Sequence, residues 1–247
     1  MDKLIFTAMS GAKQVAQRQD VIAQNLANAS TSGYRAAMFA ARAVPVGGDA
    51  GSTRAFAQEG TMGADLTAGP LQRTGRELDV AVEGNAWLAV QGKDGREAYT
   101  RAGALQVDQN GVLKAPGGFV VMGDGGPIEI PQDTQVSIAR DGTVSAIPNT
   151  GSKNAVVSVG RIKLATLNPK DVVRGDDGLF RAADGNPVPA DERATLVSGT
   201  LEGSNVNPVE AMVGMISAAR QFEMQMRMIT TADTNARSAA QLLTLGN

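Results

Sequence analysis

The acidic residues are the side chains that could do chemistry in this sequence, because the chain contains neither Cys nor His. That composition removes disulfides, thiolate and imidazole metal ligands, and the Ser/His and Cys/His pairs of nucleophilic catalysis. Asp108, Asn110 and Gly111 have the spacing that opens a calcium-binding loop, but no acidic residue stands at the twelfth loop position. We interpret these three residues as a hairpin turn.

Two further patterns could indicate catalysis. Asp79 and Glu83 could form a carboxylate pair, yet on a strand a spacing of four places them roughly 13 Å apart, which is too far for a glycosidase. The glycine-rich stretch at residues 123–126 precedes a predicted strand, whereas a phosphate-binding loop precedes a helix. The sequence therefore predicts no catalytic residue, no metal site, no cofactor and no enzymatic activity. A hydrolase that uses Asp and Glu alone is the least favoured alternative.

The charge balance and the apolar runs limit the possible partners. The chain has 23 basic and 25 acidic residues, so it has no excess positive charge with which to neutralise phosphates. Nucleic acid is therefore not an expected partner. The first residues lack a basic stretch followed by an apolar core, so they do not form a cleaved signal peptide. No apolar run approaches the roughly 20 residues that cross a bilayer, and we expect no membrane insertion.

An apolar stripe at alternating spacings of three and four predicts a helix from about residue 3 to about residue 28. Gln19 interrupts the stripe, and the helix is expected to end among small polar residues at 28–33. Such a seam packs lengthwise against a neighbouring helix, as in a coiled coil. The seam residues are Ile5, Ala8, Ala12, Val15, Ile22 and Leu26.

The C-terminal region has the same pattern over a greater length. Asn207 is a predicted N-cap, Pro208 stands at the first helical position, and Glu210 completes a possible capping box. The helix is expected to continue to about residue 245, with Asp233 as a polar interruption. The seam residues are Met212, Met215, Ala219, Phe222, Met226, Ile229 and Leu243.

Both helices carry apolar residues outside these seams. An almost all-round apolar helix must be buried on all sides, so an intrachain hairpin alone would leave apolar surface in water. We therefore expect packing between molecules, and we expect both ends to be largely disordered in the free monomer and to fold on assembly. The residues outside the seams are Leu4, Phe6, Met9, Val21, Val209, Val213, Ile216, Met224, Met228 and Leu242.

The middle of the chain has a different pattern. Residues 35–77 are rich in Ala, Gly and Thr, which favours an extended arm with short strands. From residue 78 to about 201, short alternating apolar runs are separated by Asp-Gly and Asn-Gly pairs, which are strong hairpin signals. This spacing indicates a compact antiparallel β domain.

Four sequence blocks together resemble the flagellar rod and hook protein family. They are NLANASTSGYR at residues 25–35, LDVAV and WLAV within residues 78–90, YTRAG at residues 99–103, and LEGSNVN at residues 201–207. Residues 1–11, the pair Trp87-Leu88, and RGDDGLF at residues 174–180 are most similar to the family member that builds the proximal rod. The distal-rod member is the alternative, whereas the hook member is usually longer.

The resemblance implies an α+β, mainly β fold of the rod and hook type. Its N- and C-terminal helices would form a coiled-coil-like axial domain around a central antiparallel β domain. The expected segments are an axial helix and turn at residues 1–34, an arm at 35–77, the β domain at 78–203 and an axial helix at 204–247. By the match of motifs, the residues that shape the two helix junctions are Asn25, Asn28, Thr31, Gly33, Tyr34, Ser204, Asn205 and Asn207.

The resemblance also implies a role as a structural subunit of the basal-body rod that transmits motor torque. Such a subunit assembles helically with itself and with other rod proteins. It reaches the periplasm through the flagellar type III export apparatus, without a cleaved signal peptide. A secreted oligomeric adhesin or binding module is an alternative of another class, and it would need an aromatic-lined pocket. The central aromatic residues available for one are Trp87, Tyr99, Phe119 and Phe180.

Overall fold

The computed structural model describes residues 2–45, 55–59, 63–148 and 156–245, and for residues 2–4, 41–45, 55–59, 239–240 and 242–245 it describes the backbone only. The chain forms two compact units. The helical unit consists of Met1–Ala29, Ala36–Asp65 and Val206–Asn247, and the β unit consists of Ser30–Arg35 and Leu66–Asn205. The segments predicted along the sequence are grouped differently in space, because much of the predicted arm belongs with the helices.

The helical unit contains α1 (Asp2–Ala27) and α2 (Pro208–Leu245), close to the bounds that periodicity predicts. The predicted N-cap of α2 is observed: the Asn207 side-chain oxygen accepts hydrogen bonds from the backbone N–H of Val209 at 3.1 Å and of Glu210 at 3.3 Å. These bonds satisfy two of the donors that a helix start leaves free. Pro208 occupies the first helical position, where it has no N–H to lose.

The helices α1 and α2 pack against each other in antiparallel directions. A methyl group added to Gly11 would lie 3.1 Å from Nε2 of Gln225, and one added to Gly214 would lie 3.4 Å from Cδ1 of Ile22. From Gly11 to Ile22 the chain advances by eleven residues along α1, and their partners Gln225 and Gly214 lie eleven residues apart in the opposite direction along α2. By this register Asp2 lies level with Thr234, so the last turns of α2 extend beyond the start of α1.

Short strands complete the helical unit. Strand β1 pairs with β4 and β2 pairs with β3, both antiparallel. The Asn25 side chain of α1 donates to the carbonyl of Ala37 at 2.9 Å and accepts from its N–H at 2.8 Å. The Asn25 amide thus forms the two backbone hydrogen bonds that a neighbouring strand would form with Ala37, and it attaches β1 to α1. The strands are β1 (Ala37–Met38), β2 (Ala41–Pro45), β3 (Ala55–Glu59) and β4 (Gly63–Ala64).

The β unit contains the remaining strands and one short 3₁₀ turn, Pro169–Asp171, among its described residues. In chain order the strands are β5 (Leu71–Arg73), β6 (Val80–Val82), β7 (Ala86–Gln91), β8 (Glu97–Thr100), β9 (Gln106–Val107), β10 (Leu113–Ala115), β11 (Phe119–Gly123), β12 (Gly126–Pro127), β13 (Thr134–Ile138), β14 (Thr143–Pro148), β15 (Val157–Arg161), β16 (Leu164–Thr166), β17 (Val172–Arg174), β18 (Phe180–Ala182), β19 (Leu196–Ser198) and β20 (Thr200–Glu202).

Antiparallel pairing joins these strands, as the hairpin signals predict. The largest sheet has the order β17-β18-β8-β7-β11-β10-β9, and β16 also pairs with β7. A second sheet has the order β13-β14-β15, while β19 pairs with β6 and β20 pairs with β5. The pairing of β20 with β5 is important for the helix junction, because β20 is the strand that leads towards α2.

Aliphatic side chains from these sheets form the main core. Val80, Leu88, Leu105, Leu113 and Leu196 are fully buried and belong to one apolar cluster. Alternation brings them together, because successive strand residues point to opposite faces. Helical packing instead buries small residues, including Ala8, Ala12 and Ala218. Among the described residues, most of the buried apolar side chains therefore lie in the β unit.

Two aspartates in hairpin turns have pKa values that folding lowers. The pKa of Asp177 is lowered by its bond to the Arg181 side chain, 2.6 Å away, and the pKa of Asp141 is lowered by hydrogen bonds from Thr143. A carboxyl whose pKa is lowered by folding stabilises the fold above its unfolded pKa of about 3.9 and loses that effect as the pH falls through the folded value.

We therefore expect the free energy of unfolding to decrease as the pH falls below about 4. The Asp177→Asn variant should be less stable than the wild type at neutral pH, and the difference should shrink as the pH falls, because both chains then carry a neutral side chain at this position. Urea unfolding at several pH values measures this. Asp176→Asn, at the exposed neighbouring position, is the control, and an equal pH dependence for all three chains would contradict the prediction.

Candidate assembly site: an apolar helix surface and a buried ionic junction

Residues 209–228 of α2 expose a large apolar surface. Its exposed side chains are between 43% and 68% accessible, although a soluble chain normally buries such residues. They are distributed around the helix rather than along one line, and Phe6 and Met9 of α1 are also exposed. The exposed residues of α2 are Val209, Met212, Val213, Ile216, Met224, Met226 and Met228.

This surface is the one that the sequence predicts to remain in water when the two helices pack only on each other. The expectation is confirmed for each off-seam residue whose side chain is described, except Val21, which is buried. Leu4 and Leu242 lie outside the described side chains. From residue 230 onwards, the exposed side chains of α2 that the structure describes are Thr, Asp, Asn, Arg, Ser and Gln instead. Among the described side chains of α2, the exposed large apolar residues therefore lie between residues 209 and 228.

The predicted seam of α1 lies on the side of α1 that is buried in the helical unit. Ala8, Ala12 and Val15 are buried there, and Ile5, Ile22 and Leu26 are partly buried. Polar side chains also enter the packing of this unit, since Gln225 contacts Gly11 and the Nε2 atom of Gln14 is buried without a hydrogen-bond partner.

The predicted seam of α2 is only partly on the face that packs against α1. Met215, Ala219, Phe222 and Ile229 are partly buried, whereas Met212 and Met226 are exposed. The Leu243 side chain is outside the described residues. The periodic face that is buried within the chain consists of Ala211, Met215, Ala218, Phe222, Gln225, Ile229, Ala232 and Ala236.

A second candidate feature is a buried ionic junction in the β unit, formed by Glu202 at the end of β20. The Glu202 carboxylate lies 2.6 Å from the Arg35 guanidinium and 3.1 Å from that of Arg101, and all three side chains are almost completely buried. Burial lowers the pKa of Arg101, while the charge of Glu202 opposes that shift. Two buried cations thus share one buried anion. Removing the anion would leave both cations without a compensating charge, which is costly in free energy.

Aromatic rings enclose this junction. The Trp87 ring lies 5.8 Å from the Arg35 guanidinium carbon and 5.2 Å from that of Arg101, within cation–π distance of both. Trp87 also packs on Phe180, with ring centroids 4.8 Å apart. The Arg174 guanidinium covers the Tyr34 ring at 4.6 Å. The Trp87 ring therefore helps to compensate the charge of two guanidinium groups that have lost their water.

Backbone hydrogen bonds tie together the segments that follow α1 and precede α2. The Gly33 N–H donates to the Glu202 carbonyl at 2.8 Å, and the Asn205 N–H donates to the Tyr34 carbonyl at 3.4 Å. The Gly69 N–H donates to the Glu202 carboxylate at 2.9 Å. Both segments are thus held in the β unit, at either side of the Arg35–Glu202 ion pair.

Gly33 permits this approach, and we expect its replacement to be costly. Its φ angle is +69°, and an added Cβ would overlap the backbone of Arg101 and Ala102. Gly33→Ala should reduce the free energy of unfolding by at least about 2 kcal/mol, from the left-handed conformation and the forced displacement. Urea unfolding followed by Trp87 fluorescence measures the effect.

Gly75→Ala is the matched control, because Gly75 has a φ angle of +76° but open space around its α-carbon. Only the conformational cost, about 1–2 kcal/mol, applies there. Equal losses for the two variants would contradict the steric argument for Gly33.

The structure places the other predicted junction residues as follows. Asn28 donates from its side chain to the Gln24 carbonyl at 2.8 Å, at the end of α1, and the Thr31 carbonyl accepts from Tyr34 N–H at 3.3 Å. Ser204 is buried, and the Asn205 side chain donates to the Thr67 carbonyl at 3.1 Å. These residues lie in turns and caps at the two helix junctions, and their role in assembly stays a prediction.

Sequence reasoning missed the ionic junction itself. Arg35 and Glu202 lie inside quoted motifs, but a single charged residue in a polar turn gives no sign of burial. One signal was available: Glu202 stands between Leu201 and Gly203, a setting unusual for a solvated charge.

The carboxylates that could suggest catalysis have structural roles. Asp108 accepts from the N–H groups of Asn110 and Val112 and contacts Lys114 at 2.6 Å, which confirms a hairpin turn. Asp79 pairs with Arg76 at 2.6 Å, whereas Glu83 pairs with Arg140 at 2.9 Å. Within the described residues, no helix is both long and apolar enough to cross a membrane.

Family models match three parts of the chain. The model of the flagella basal body rod protein matches residues 5–35, that of the flagellar hook protein FlgE/F/G D1 domain matches residues 81–146, and that of the flagellar basal body rod FlgEFG protein C-terminal region matches residues 197–242. The first and third matches include Arg35 and Glu202, the two partners of the buried ion pair.

Individual relatives match over nearly the full length. The flagellar basal-body rod protein FlgF of Salmonella typhimurium is 49% identical over 99% of this chain and 100% of its own length. FlgF of Escherichia coli is 48% identical over the same shares. The flagellar basal-body rod protein FlgG of Bacillus subtilis is 30% identical over 94% of this chain and 96% of its own length. The chain therefore belongs to the family of flagellar basal-body rod proteins.

Proposed function

We propose that this chain is a structural subunit of the proximal rod of the bacterial flagellar basal body. The observation that carries the proposal is the apolar surface of α2, which has no cover within the described part of the chain. A helix of 38 residues with apolar side chains on most sides of its first half is suited to burial among several neighbours. The names of the FlgF relatives supply the assembly in which such neighbours exist.

In this proposal residues 1–34 and 204–247 form the axial domain, and residues 78–203 form the outer β domain joined by the arm at 35–77. The predicted seam residues, with Met212 and Met226 among them, contact other subunits in a coiled-coil-like array. A contact between different surfaces of identical or related chains does not close on itself, so it builds a helical shaft. Helices packed side by side along the shaft resist shear, and the subunit transmits torque without catalysis.

The proposal includes export through the flagellar type III apparatus and a final position in the periplasm, in contact with other rod proteins. A distal-rod role is the alternative, supported by the similarity to FlgG. Identity favours the proximal role, since the two FlgF relatives share almost half of their residues with this chain. The adhesin alternative has weaker support, because Trp87, Tyr99 and Phe180 are buried.

Basal bodies purified with and without this chain test the proposal. We expect the axial shaft to be absent or truncated without it, and antibody labelling to place the chain at the inner-membrane end of the rod. Labelling at the outer end would favour the distal alternative. Complete rods that lack the chain would contradict both assignments.

The stability of the helices in the free chain provides a second test. The helical unit buries mainly small side chains, so we expect residues 212–241 of a dilute monomer to exchange their amide protons far faster than β7. Hydrogen exchange with mass spectrometry measures this difference. Protection across 212–241 equal to that of β7 would contradict the expectation that the ends fold on assembly.

A further inference from the structure

Thioether side chains are concentrated on the exposed surface of the helical unit. Among the methionines with described side chains, six are between 43% and 58% exposed, and all six belong to this unit. Met122 of the β unit and Met215 of α2 are less exposed. The six exposed residues are Met9, Met38, Met212, Met224, Met226 and Met228.

We propose that these six residues are an oxidation site, and that hydrogen peroxide acting on the unassembled chain inactivates its assembly surface. The proposal rests on the proposed function, because it needs the helices to pack against other subunits. In the reaction the thioether sulfur attacks one peroxide oxygen. The O–O bond breaks as the S–O bond forms, and the departing hydroxide takes up the remaining proton as water. The sulfur is oxidised by two electrons and the peroxide is reduced.

The effect on packing follows from the change in polarity. Methionine is flexible and apolar, so it adapts to neighbours that differ around a helix. A sulfoxide is polar and introduces a strong hydrogen-bond acceptor, which is unfavourable when buried without a donor. Along α2, Val209, Val213 and Ile216 are neighbours of Met212, and none of these three side chains carries a hydrogen-bond donor. Oxidation therefore converts part of an apolar surface into one that is costly to bury.

Assembly should also protect these residues from oxidation. Peroxide must reach the sulfur, and packing against other subunits excludes solvent from the side chains that are exposed in the free chain. The same surface is thus vulnerable between synthesis and incorporation and resistant afterwards. Enzymatic reduction of the sulfoxide would restore the unassembled chain, which makes the modification reversible.

The first experiment measures protection. Free full-length chain and purified basal bodies are exposed to dilute hydrogen peroxide, and the rate of sulfoxide formation at each methionine is followed by mass spectrometry. We expect the four exposed methionines of α2 to react at least about tenfold more slowly in basal bodies, because burial limits access. Met122 is the internal reference and should change much less. Equal rates in the two samples would overturn the proposal.

The second experiment measures exclusion from the rod by competition within one cell. Wild-type chain and a variant with Met212→Leu, Met224→Leu, Met226→Leu and Met228→Leu are expressed together at equal levels. Leucine has a similar volume and helix propensity, so both chains should enter basal bodies equally without peroxide. With peroxide the ratio of variant to wild type in basal bodies should rise at least about tenfold, because sulfoxides remove apolar burial.

An unchanged ratio, with sulfoxides detected on the unassembled wild-type chain, would overturn the proposal. Met122→Leu is the control variant and should gain no advantage under peroxide. If the fourfold variant does not fold, the protection experiment still decides. Absence of both chains from basal bodies is a different result, because it would contradict the proposed function itself.

Discussion

The Glu202→Gln variant should lose about 3–5 kcal/mol of its free energy of unfolding, the cost of removing one partner from a buried ionic group. The replacement keeps the size of the side chain but removes the only anion beside Arg35 and Arg101 in the described junction. Two buried guanidinium groups would then face each other with an amide between them, and the amide N–H groups would point towards further donors. A typical domain is stable by only about 5–15 kcal/mol, so this loss would be a large fraction of the free energy of unfolding.

Trp87 makes this prediction easy to measure. It is the only tryptophan of the chain and lies within 6 Å of both guanidinium groups, so its fluorescence reports the junction directly. Urea unfolding of the two full-length chains gives the difference in free energy. Glu192→Gln is the matched control, because it removes the same charge from an exposed position. A loss below about 1 kcal/mol for Glu202→Gln, the range of exposed ion pairs, would mean that water reaches the junction.

The second large effect is expected in assembly and not in stability. Ile216 lies on the apolar surface of α2 and is 55% exposed. The Ile216→Asp substitution should therefore change the stability of the free chain by no more than about 0.5–1 kcal/mol. In the rod the same residue would be buried. Loss of its apolar burial and burial of a carboxylate should together weaken each contact by at least about 100-fold.

Cells whose own copy is deleted and replaced by the Ile216→Asp chain provide the measurement. We expect wild-type levels of soluble chain, little chain in purified basal bodies, and loss of swimming in soft agar. Val173→Asp is the control, since Val173 is a β-branched residue with the same exposed fraction but belongs to the β unit. The strain that carries Val173→Asp should swim normally. Normal motility of the Ile216→Asp strain would contradict burial of this surface in the rod.

The two predictions concern properties that differ in how far they can be anticipated from sequence. The exposed surface containing Ile216 follows from composition along one helix, because a helix has a fixed period and residues off the seam must face elsewhere. The junction around Glu202 joins residues more than 160 positions apart in the chain, Arg35 and Glu202. No local sequence pattern predicts this pairing, so the sequence identifies the two motifs but not the contact between them.

The same distinction explains the face of α2 that packs on α1. Periodicity predicts that Met215, Phe222 and Ile229 share a face, and they do share one. Between them the structure buries Ala218 more completely than Ala219, and it partly buries Gln225 while Met226 is exposed. Close approach decides this, since Gly11 leaves room for the Gln225 side chain. Hydrophobicity ranks methionine above alanine and glutamine, but fit against one particular neighbour does not follow that ranking.

The sequence by itself determined the two helices, the N-cap of α2, the hairpin turns and the excess of apolar surface, because each depends on residues within a few positions of one another. Its motifs also indicated the rod family. Only the tertiary structure decided the antiparallel register of the helices, the inclusion of residues 36–65 with them, and the burial of Arg35, Arg101 and Glu202 beside Trp87. These depend on contacts between distant segments, where steric fit and the loss of water determine which residues meet.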